Sequence, residues 1–324
     1  MTSDAPSNDL QSELEQSRIE LTAYCYRMLG SAFEAEDAVQ ETMLRAWRNA
    51  GGFQGRSSLS TWLYRIATNV CLDMLSGAKR RARPMDFASA GRADSPLGDT
   101  LDEANWVLPI PDSRILPDHA DPADVAEARD SVRLAFVAAL QRLPARQRAV
   151  LILREVLDWQ ASEVAELLGT SVASVNSALQ RARASLATGD GATGSAPVMD
   201  ERRQALLTRY VDAFERYDMD ALTSLLHEDA SWSMPPFPLW LQTHFDIRSF
   251  CLGPGIACRD SILVPVMANG SPAFGQYKPD GGGGHEPWAL QVVEISGAGI
   301  SGVTFFLDTA RLFPLFGLPL QLDR

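Results

Sequence analysis

Only Gly169 and Thr170 separate two helical runs, "SEVAELL" and "SVASVNSALQRARASL". So short a joint between two helices matches a helix-turn-helix. In the second run Val175, Leu179, Ala182 and Leu186 recur every three or four residues, the apolar stripe of an amphipathic helix. Its other face presents Ser174, Asn176, Ser177, Gln180, Arg181 and Arg183, with no acid among them. Such a face is either plain solvated surface or a surface that enters a DNA groove, and the rest of the chain has to decide.

Breakers divide the remaining sequence. Residues 10–84 read as helices, the first ending at Gly30 and the second at Gly51-Gly52; "FQGRSS" leads into "LSTWLYRIATNVCLDMLSGAKRR", which Pro84 stops. Residues 85–122 are rich in Gly, Pro, Asp and Ala and read as a linker. One apolar island, "WVLPIPD" at 106–112, is unexpected in a free spacer and implies docking. Residues 123–187 are helical again, and 188–198 ("TGDGATGSAPV") form a flexible linker. From 199 to 324 two helical patterns precede strand-like runs such as "SILVPVMA" and "WALQVVEIS", an α+β domain. The expected fold is therefore multi-domain: a helical bundle, a helix-turn-helix and an α+β domain.

Charge sharpens the choice. The chain carries a net charge of -12, which argues against a general nucleic-acid binder. The mean hides a partition: 1–84 sum to zero, 85–122 to -6, 123–188 to +1 and 189–324 to -7. Within 56–83 six bases face the single acid Asp73. A protein that grips DNA firmly only with a partner has this pattern. Four scattered cysteines (Cys25, Cys71, Cys251, Cys258) fit buried thiols in a reducing cytoplasm, and no paired Cys/His spacing suggests a metal. No run is long and apolar enough for a membrane span, and the polar, acidic start does not read as a signal peptide. The expected location is cytoplasmic, with no membrane partner, cofactor or metal.

With these segments in view, residues 1–187 resemble the extracytoplasmic-function sigma factors of bacterial RNA polymerase. "AEDAVQETMLRAWR" resembles the polymerase-binding helix of sigma region 2, and "FQGRSSLSTWLYRIATNVCLDML" its promoter-melting loop and helix. "LPARQRAVLILREVLDWQASEVAELLGTSVASVNSALQRAR" resembles region 4. The part from Met199 resembles SnoaL-like domains, which some sigma factors of this group carry fused. The resemblance implies a specificity subunit that brings core polymerase to promoters and initiates transcription, regulated in cis by its third domain. It also implies contacts with the clamp helices of the largest polymerase subunit and the flap of the second largest.

Residue chemistry can be set beside that expectation. Ser171 can cap the second helix; Ala173, Ser174, Asn176, Ser177, Gln180 and Arg181 share the face opposite Val175, with Arg183 beyond. Asn and Gln amides suit adenine, and arginine suits guanine or phosphate. By resemblance Arg146 and Arg148 contact the DNA backbone. Related factors often have Lys and Arg where this chain has Asn176 and Ala178, which shifts the expected load onto the amides. Opening a duplex needs an apolar pocket for extracted bases and cations for the strand. Arg56, Ser57, Ser58, Trp62, Arg65, Asn69, Arg80 and Arg81 offer these types, although Trp62 also reads as a core residue and the arginines as a solvated helix end. Asp37, Gln40, Glu41 and Arg45 form one polar stripe, assigned by resemblance to core polymerase; Glu41 and Arg45 are also spaced for an intrahelical pair.

The third domain holds two open readings. Regulation in cis would use Trp106 and Pro109 of the island together with the loop Asp280, Gly281, Gly282, Gly283 and Gly284, the anchor Trp288, and the apolar Phe313 and Phe316. A small-molecule ligand in a SnoaL-like cavity would then shift the balance of states. The rival is a cyclase- or isomerase-type enzyme tethered to a DNA-binding module. Its candidates are His227, Asp229, His244, Asp246, His285 and Glu286, and catalysis would need an acid/base pair lining the cavity. A repressor is disfavoured, since it has no use for polymerase-binding and melting motifs.

Overall fold

The computed structural model describes residues 8–50, 58–116, 122–187 and 200–322. Its described residues form two compact units. The first holds the chain up to Arg81, Val107–Pro109, and Ser113 onward through the second helical region. The second holds Ala82–Trp106, Ile110–Asp112 and the remainder.

The first unit is all helical: α1 (Asn8–Gln16), α2 (Arg18–Leu29), α3 (Ala32–Arg48), α4 (Leu59–Met74), α5 (Pro122–Asp130), α6 (Leu134–Gln141), α7 (Ala145–Leu151), α8 (Ala161–Leu167) and α9 (Val172–Ala187). Helix α2 is central. Its residues from Leu21 to Leu29 are all buried, and it meets α3, α4, α6 and α7. A helix end leaves carbonyls unpaired, and those of α2 are satisfied from far along the chain. Gln141 Nε2 donates to Arg27 O (3.1 Å), Arg148 Nη1 donates to Met28 O, and Leu108 N donates to Gly30 O (2.9 Å). Helix α3 opens on Ser31, whose hydroxyl accepts from Glu34 N (3.4 Å); α4 opens on Ser58, whose hydroxyl accepts from Thr61 N (3.1 Å).

The second unit contains α10 (Glu201–Glu215), α11 (Met219–Thr223), α12 (His244–Leu252), α13 (Thr309–Leu315) and one six-stranded sheet. The strands are β1 (Leu226–Ser233), β2 (Trp240–Leu241), β3 (Ile262–Ala268), β4 (Ser271–Pro279), β5 (His285–Ser296) and β6 (Gly299–Phe306), in the order β2-β1-β6-β5-β4-β3. Only β1–β6 is parallel. Helices α10–α12 share a core with one sheet face through Tyr210, Phe214, Leu222, Ile247, Phe274 and Val303. On the other side of β4, Phe313 of α13 meets Tyr277 edge-on at 5.1 Å. Leu318 lies so close to Gly275 that a Cβ there would meet its Cδ1 at 2.7 Å, so any larger residue would make the leucine side chain shift.

Of the segment expected to be a linker, residues 88–103 form a strap on this domain. Gly91 N donates to Trp240 O (2.8 Å), Trp240 Nε1 to Ala88 O (2.8 Å), Ala93 N to Asp246 Oδ1 (3.1 Å) and Leu101 N to Pro236 O (3.0 Å). Glu103 pairs with Arg311 of α13.

Candidate promoter-reading and polymerase-binding surfaces

Helices α8 and α9 form the helix-turn-helix. Gln160 N donates to Glu163 Oε2 (2.7 Å), closing the start of α8. Between the helices Gly169 adopts φ +60, a conformation that costs glycine little. Ser171 Oγ accepts from Ser174 N (3.2 Å), the expected cap of α9. Val175, Leu179 and Ala182 are buried, while Ala173, Ser174, Asn176, Ser177, Gln180, Arg181 and Arg183 are exposed, so the outward face is the one expected. Arg183 is held by Glu155 at 2.7 Å.

Arg146 is exposed, but Arg148 is not a surface cation. Only 4% exposed, it donates to Leu140 O (2.9 Å), Gln141 O (3.2 Å), Leu143 O (3.1 Å), Gln141 Oε1 (2.5 Å) and Met28 O. Burial pushes its pKa down to about 10. It spends its donors on the carbonyl ends of two helices, which in this structure removes it from the expected DNA-backbone set. Arg81 is a second correction. It is buried against the first turn of α3 and donates to Glu34 Oε1 at 2.6 Å, leaving Lys79 and Arg80 as the exposed cations of that cluster.

Along α4 and its cap, Ser58, Trp62, Arg65 and Asn69 fall on one stripe, with Ser58 and Asn69 exposed and Trp62 and Arg65 half-buried. The hydroxyl of Ser58 is committed to its cap. Arg65 pairs with Glu166 of α8 at 3.0 Å, and the neighbouring Tyr64 ring meets Trp159 edge-on at 5.4 Å. Burial raises the Tyr64 pKa above its ordinary value. Helix α4 and the helix-turn-helix thus touch, which no local sequence pattern announces. Arg56 and Ser57 lie outside the described residues.

Helix α3 carries the polar stripe as expected, with Asp37 and Gln40 exposed. Glu41 accepts from Arg45 at 2.7 Å, and Asp73 lies 3.5 Å from the same guanidinium; these partners, Glu41 first, raise the Arg45 pKa. Sequence reasoning missed Leu44 and Trp47, which are 48% and 54% exposed. The spacing 37, 40, 44, 47 was the available signal, since it continues the stripe by steps of three and four.

In the second unit, the hydrogen bonds of Ile110 and Asp112 at the end of the island run to the β3–β4 turn. Ile110 N donates to Asn269 Oδ1 (3.0 Å), Asn269 N to Ile110 O (3.1 Å) and Gly270 N to Asp112 Oδ1 (2.7 Å). The expected partners are occupied elsewhere. Asp280 folds its own loop by accepting from Gly282 N (2.7 Å) and Gly284 N (3.1 Å), and Gly281–Gly283 are exposed. Trp288 joins the domain core beneath Lys278, whose Nζ lies 4.0 Å from the ring centroid. Phe313 is buried on Tyr277 and Phe316 is half-buried. Trp106, 1% exposed, packs edge-on against Phe87 at 5.2 Å, while Pro109 is buried with the first unit. The "NG" between two strands was the readable sign of that turn.

An apolar cavity of about 40 Å³ lies among Phe214, Trp232, Phe250, Phe305 and Gln276. One water needs about 10–15 Å³ by this measure, so the space suits a few waters. None of its lining residues is a carboxylate or an imidazole. The described histidines bond backbone carbonyls instead: His227 to Ser296 O (2.7 Å), His244 to His227 O (3.0 Å) and His285 to Asp260 O (3.2 Å). Among the described residues no helix is long and apolar enough to cross a membrane, and no cluster of His, Cys, Asp or Glu could hold a metal.

Comparison with known proteins agrees with this geometry. Residues 14–81 match the family model for sigma-70 region 2, and residues 133–186 that for sigma-70 region 4. The chain is 46% identical over 325 residues to the ECF RNA polymerase sigma factor SigG of Mycobacterium tuberculosis, covering 98% of this chain and 85% of SigG. It is 32% identical over 162 residues to SigW of Bacillus subtilis, covering 50% of this chain and 78% of SigW. The crystal structure of the M. tuberculosis sigma factor SigJ superimposes with a TM-score of 0.61 at 22% identity, over 96% of this chain and 99% of that one. It shares the fold, third domain included. Sigma factors are not enzymes; they bind core RNA polymerase and promoter DNA to start transcription. The chain belongs to the ECF RNA polymerase sigma factors.

Proposed function

We propose that this sigma factor acts from the cytoplasm and reads two promoter elements, with its third domain regulating it in cis. Helix α9 reads the upstream element through Asn176, Ser177, Gln180 and Arg181, aided by Arg146 on the backbone. The 53–60 loop and the Ser58–Asn69 stripe of α4 melt the proximal element, with Arg80 on the strand. The Asp37–Gln40–Glu41–Arg45 stripe docks on the clamp helices of the largest polymerase subunit, and the helix-turn-helix region on the flap of the second largest. The strap carries the regulatory part of this reading. The segment joining the two DNA-reading regions makes its hydrogen bonds at Ala88, Gly91, Ala93, Leu101, Ile110 and Asp112 with the third domain. Whatever changes that domain's grip changes how freely the two regions can separate. The cavity offers a ligand little room as it stands, so a small-molecule effector would have to enlarge it.

The test is run-off transcription with core polymerase, comparing the full chain with residues 1–198 on promoters enriched from genomic DNA. Stronger initiation by the truncated form identifies an inhibitory domain. A truncated form that binds core but does not initiate identifies a domain that arranges the reading regions. Equal initiation by both removes regulation in cis, and initiation by neither removes the assignment of the promoter-reading surfaces.

A further inference from the structure

The first turns of α9 leave one large apolar side chain facing outward, Val172, whose chemistry points to a particular base atom. The hydroxyls at its start are already engaged: Ser171 Oγ accepts from Ser174 N and shares a hydrogen bond of 2.9 Å with Ser174 Oγ. Arg183, two turns further on, is held by Glu155. Between these lie Val172, 44% exposed, the small Ala173, and the exposed Asn176, Ser177 and Gln180. Val172 and Asn176 are four residues apart, so they stand one above the other on the same stripe.

A single exposed valine usually needs no explanation. This one sits at the end of a recognition helix that enters the major groove first, one turn from an amide suited to adenine. An isopropyl group cannot discriminate hydrogen-bonding edges. The apolar feature the groove presents is the 5-methyl group of thymine. The side chains that read guanine and cytosine are cations and carboxylates, and neither occurs between Ser171 and Gln180. We propose that Val172 is a specificity-determining residue that packs on the 5-methyl of a pyrimidine in the upstream promoter element, next to the base pair read by Asn176. The inference rests on α9 being the recognition helix.

The experiment uses the full chain with core polymerase. Each thymine of the upstream element is replaced in turn by deoxyuridine, which removes only the methyl group. One replacement is expected to weaken promoter binding about fourfold, the worth of one buried methyl, and the others to change little. Val172→Ala should bind the methylated and methyl-free elements alike, whereas Val172→Thr, which keeps one methyl, should fall between. The proposal is overturned if the wild type ignores every replacement, or if Val172→Ala keeps the same sensitivity. Failure to bind even the unmodified element overturns the recognition-helix assignment as well, and is told apart because no thymine-containing control is bound either.

Discussion

Arg148 and Arg146 stand two residues apart and do different work. The guanidinium of Arg148 is buried among carbonyl oxygens with no carboxylate among its hydrogen-bond acceptors, and its pKa falls to about 10. Arg148→Met leaves those acceptors without a donor, so denaturant unfolding should show a loss of about 3 kcal/mol. Arg146→Ala should leave stability unchanged and lower the salt slope of promoter binding by about one. Asp246 gives a pH prediction. Its carboxylate accepts from Thr243 Oγ1 (2.6 Å) and from Ala93 N (3.1 Å), and these bonds, Thr243 first, lower its pKa. A lowered carboxyl pKa contributes stability above its unfolded value and loses it as pH falls through the folded value. The protection of the Ala93 amide, its exchange relative to an unfolded peptide at the same pH, should therefore persist at neutral pH and fall only in acid, as the pH drops through the lowered Asp246 pKa. In Asp246→Ala that protection should be low throughout.

At the scale of elements, α3 shows how one helix serves two surfaces. Ala35, Ala38, Val39, Thr42 and Ala46 bury one side, leaving Asp37, Gln40, Leu44 and Trp47 to face outward. Exposed aromatics at the centre of an interface carry a large share of binding energy. Trp47→Ala should weaken binding to core polymerase about tenfold without moving the thermal midpoint, as read by titration of labelled core. A shift in midpoint with unchanged core affinity would place Trp47 outside the interface. The stripe was legible because helical spacing alone defines it. Its apolar end was not, since a tryptophan reads as a core residue until its exposure among the described residues is in view.

At the scale of the whole molecule, residues far apart in sequence close the second unit, where the strap is held by the third domain's own strands and turns. Asn269, fully buried at φ +57, exchanges two hydrogen bonds with Ile110 across 159 positions of sequence. Asn269→Ala loses both the side-chain acceptor and a residue tolerant of the left-handed region, at about 2 kcal/mol in all. Exchange at Ile110 should then accelerate while the β4–β5 amides remain protected. Limited proteolysis should spare residues 88–112 in the full chain and cut there in residues 1–198; equal cutting would show that the strap does not depend on the third domain.

Local pattern determined much of this protein. Helical period, Gly and Pro breakers and the two-residue joint of the helix-turn-helix are written in neighbouring residues, so the helical regions, the outward face of α9 and the α+β character of the third domain could be read directly. Tertiary structure alone decided which polar groups are spent inside. Arg148 and Arg81 look like surface cations until the carbonyls and carboxylate they meet are in view. Linker composition forecasts a free segment until Trp240, Asp246 and Asn269 supply its partners. A hydrogen bond between residues a hundred positions apart leaves no period in the sequence, because the satisfaction of buried polar groups is a property of the packed chain.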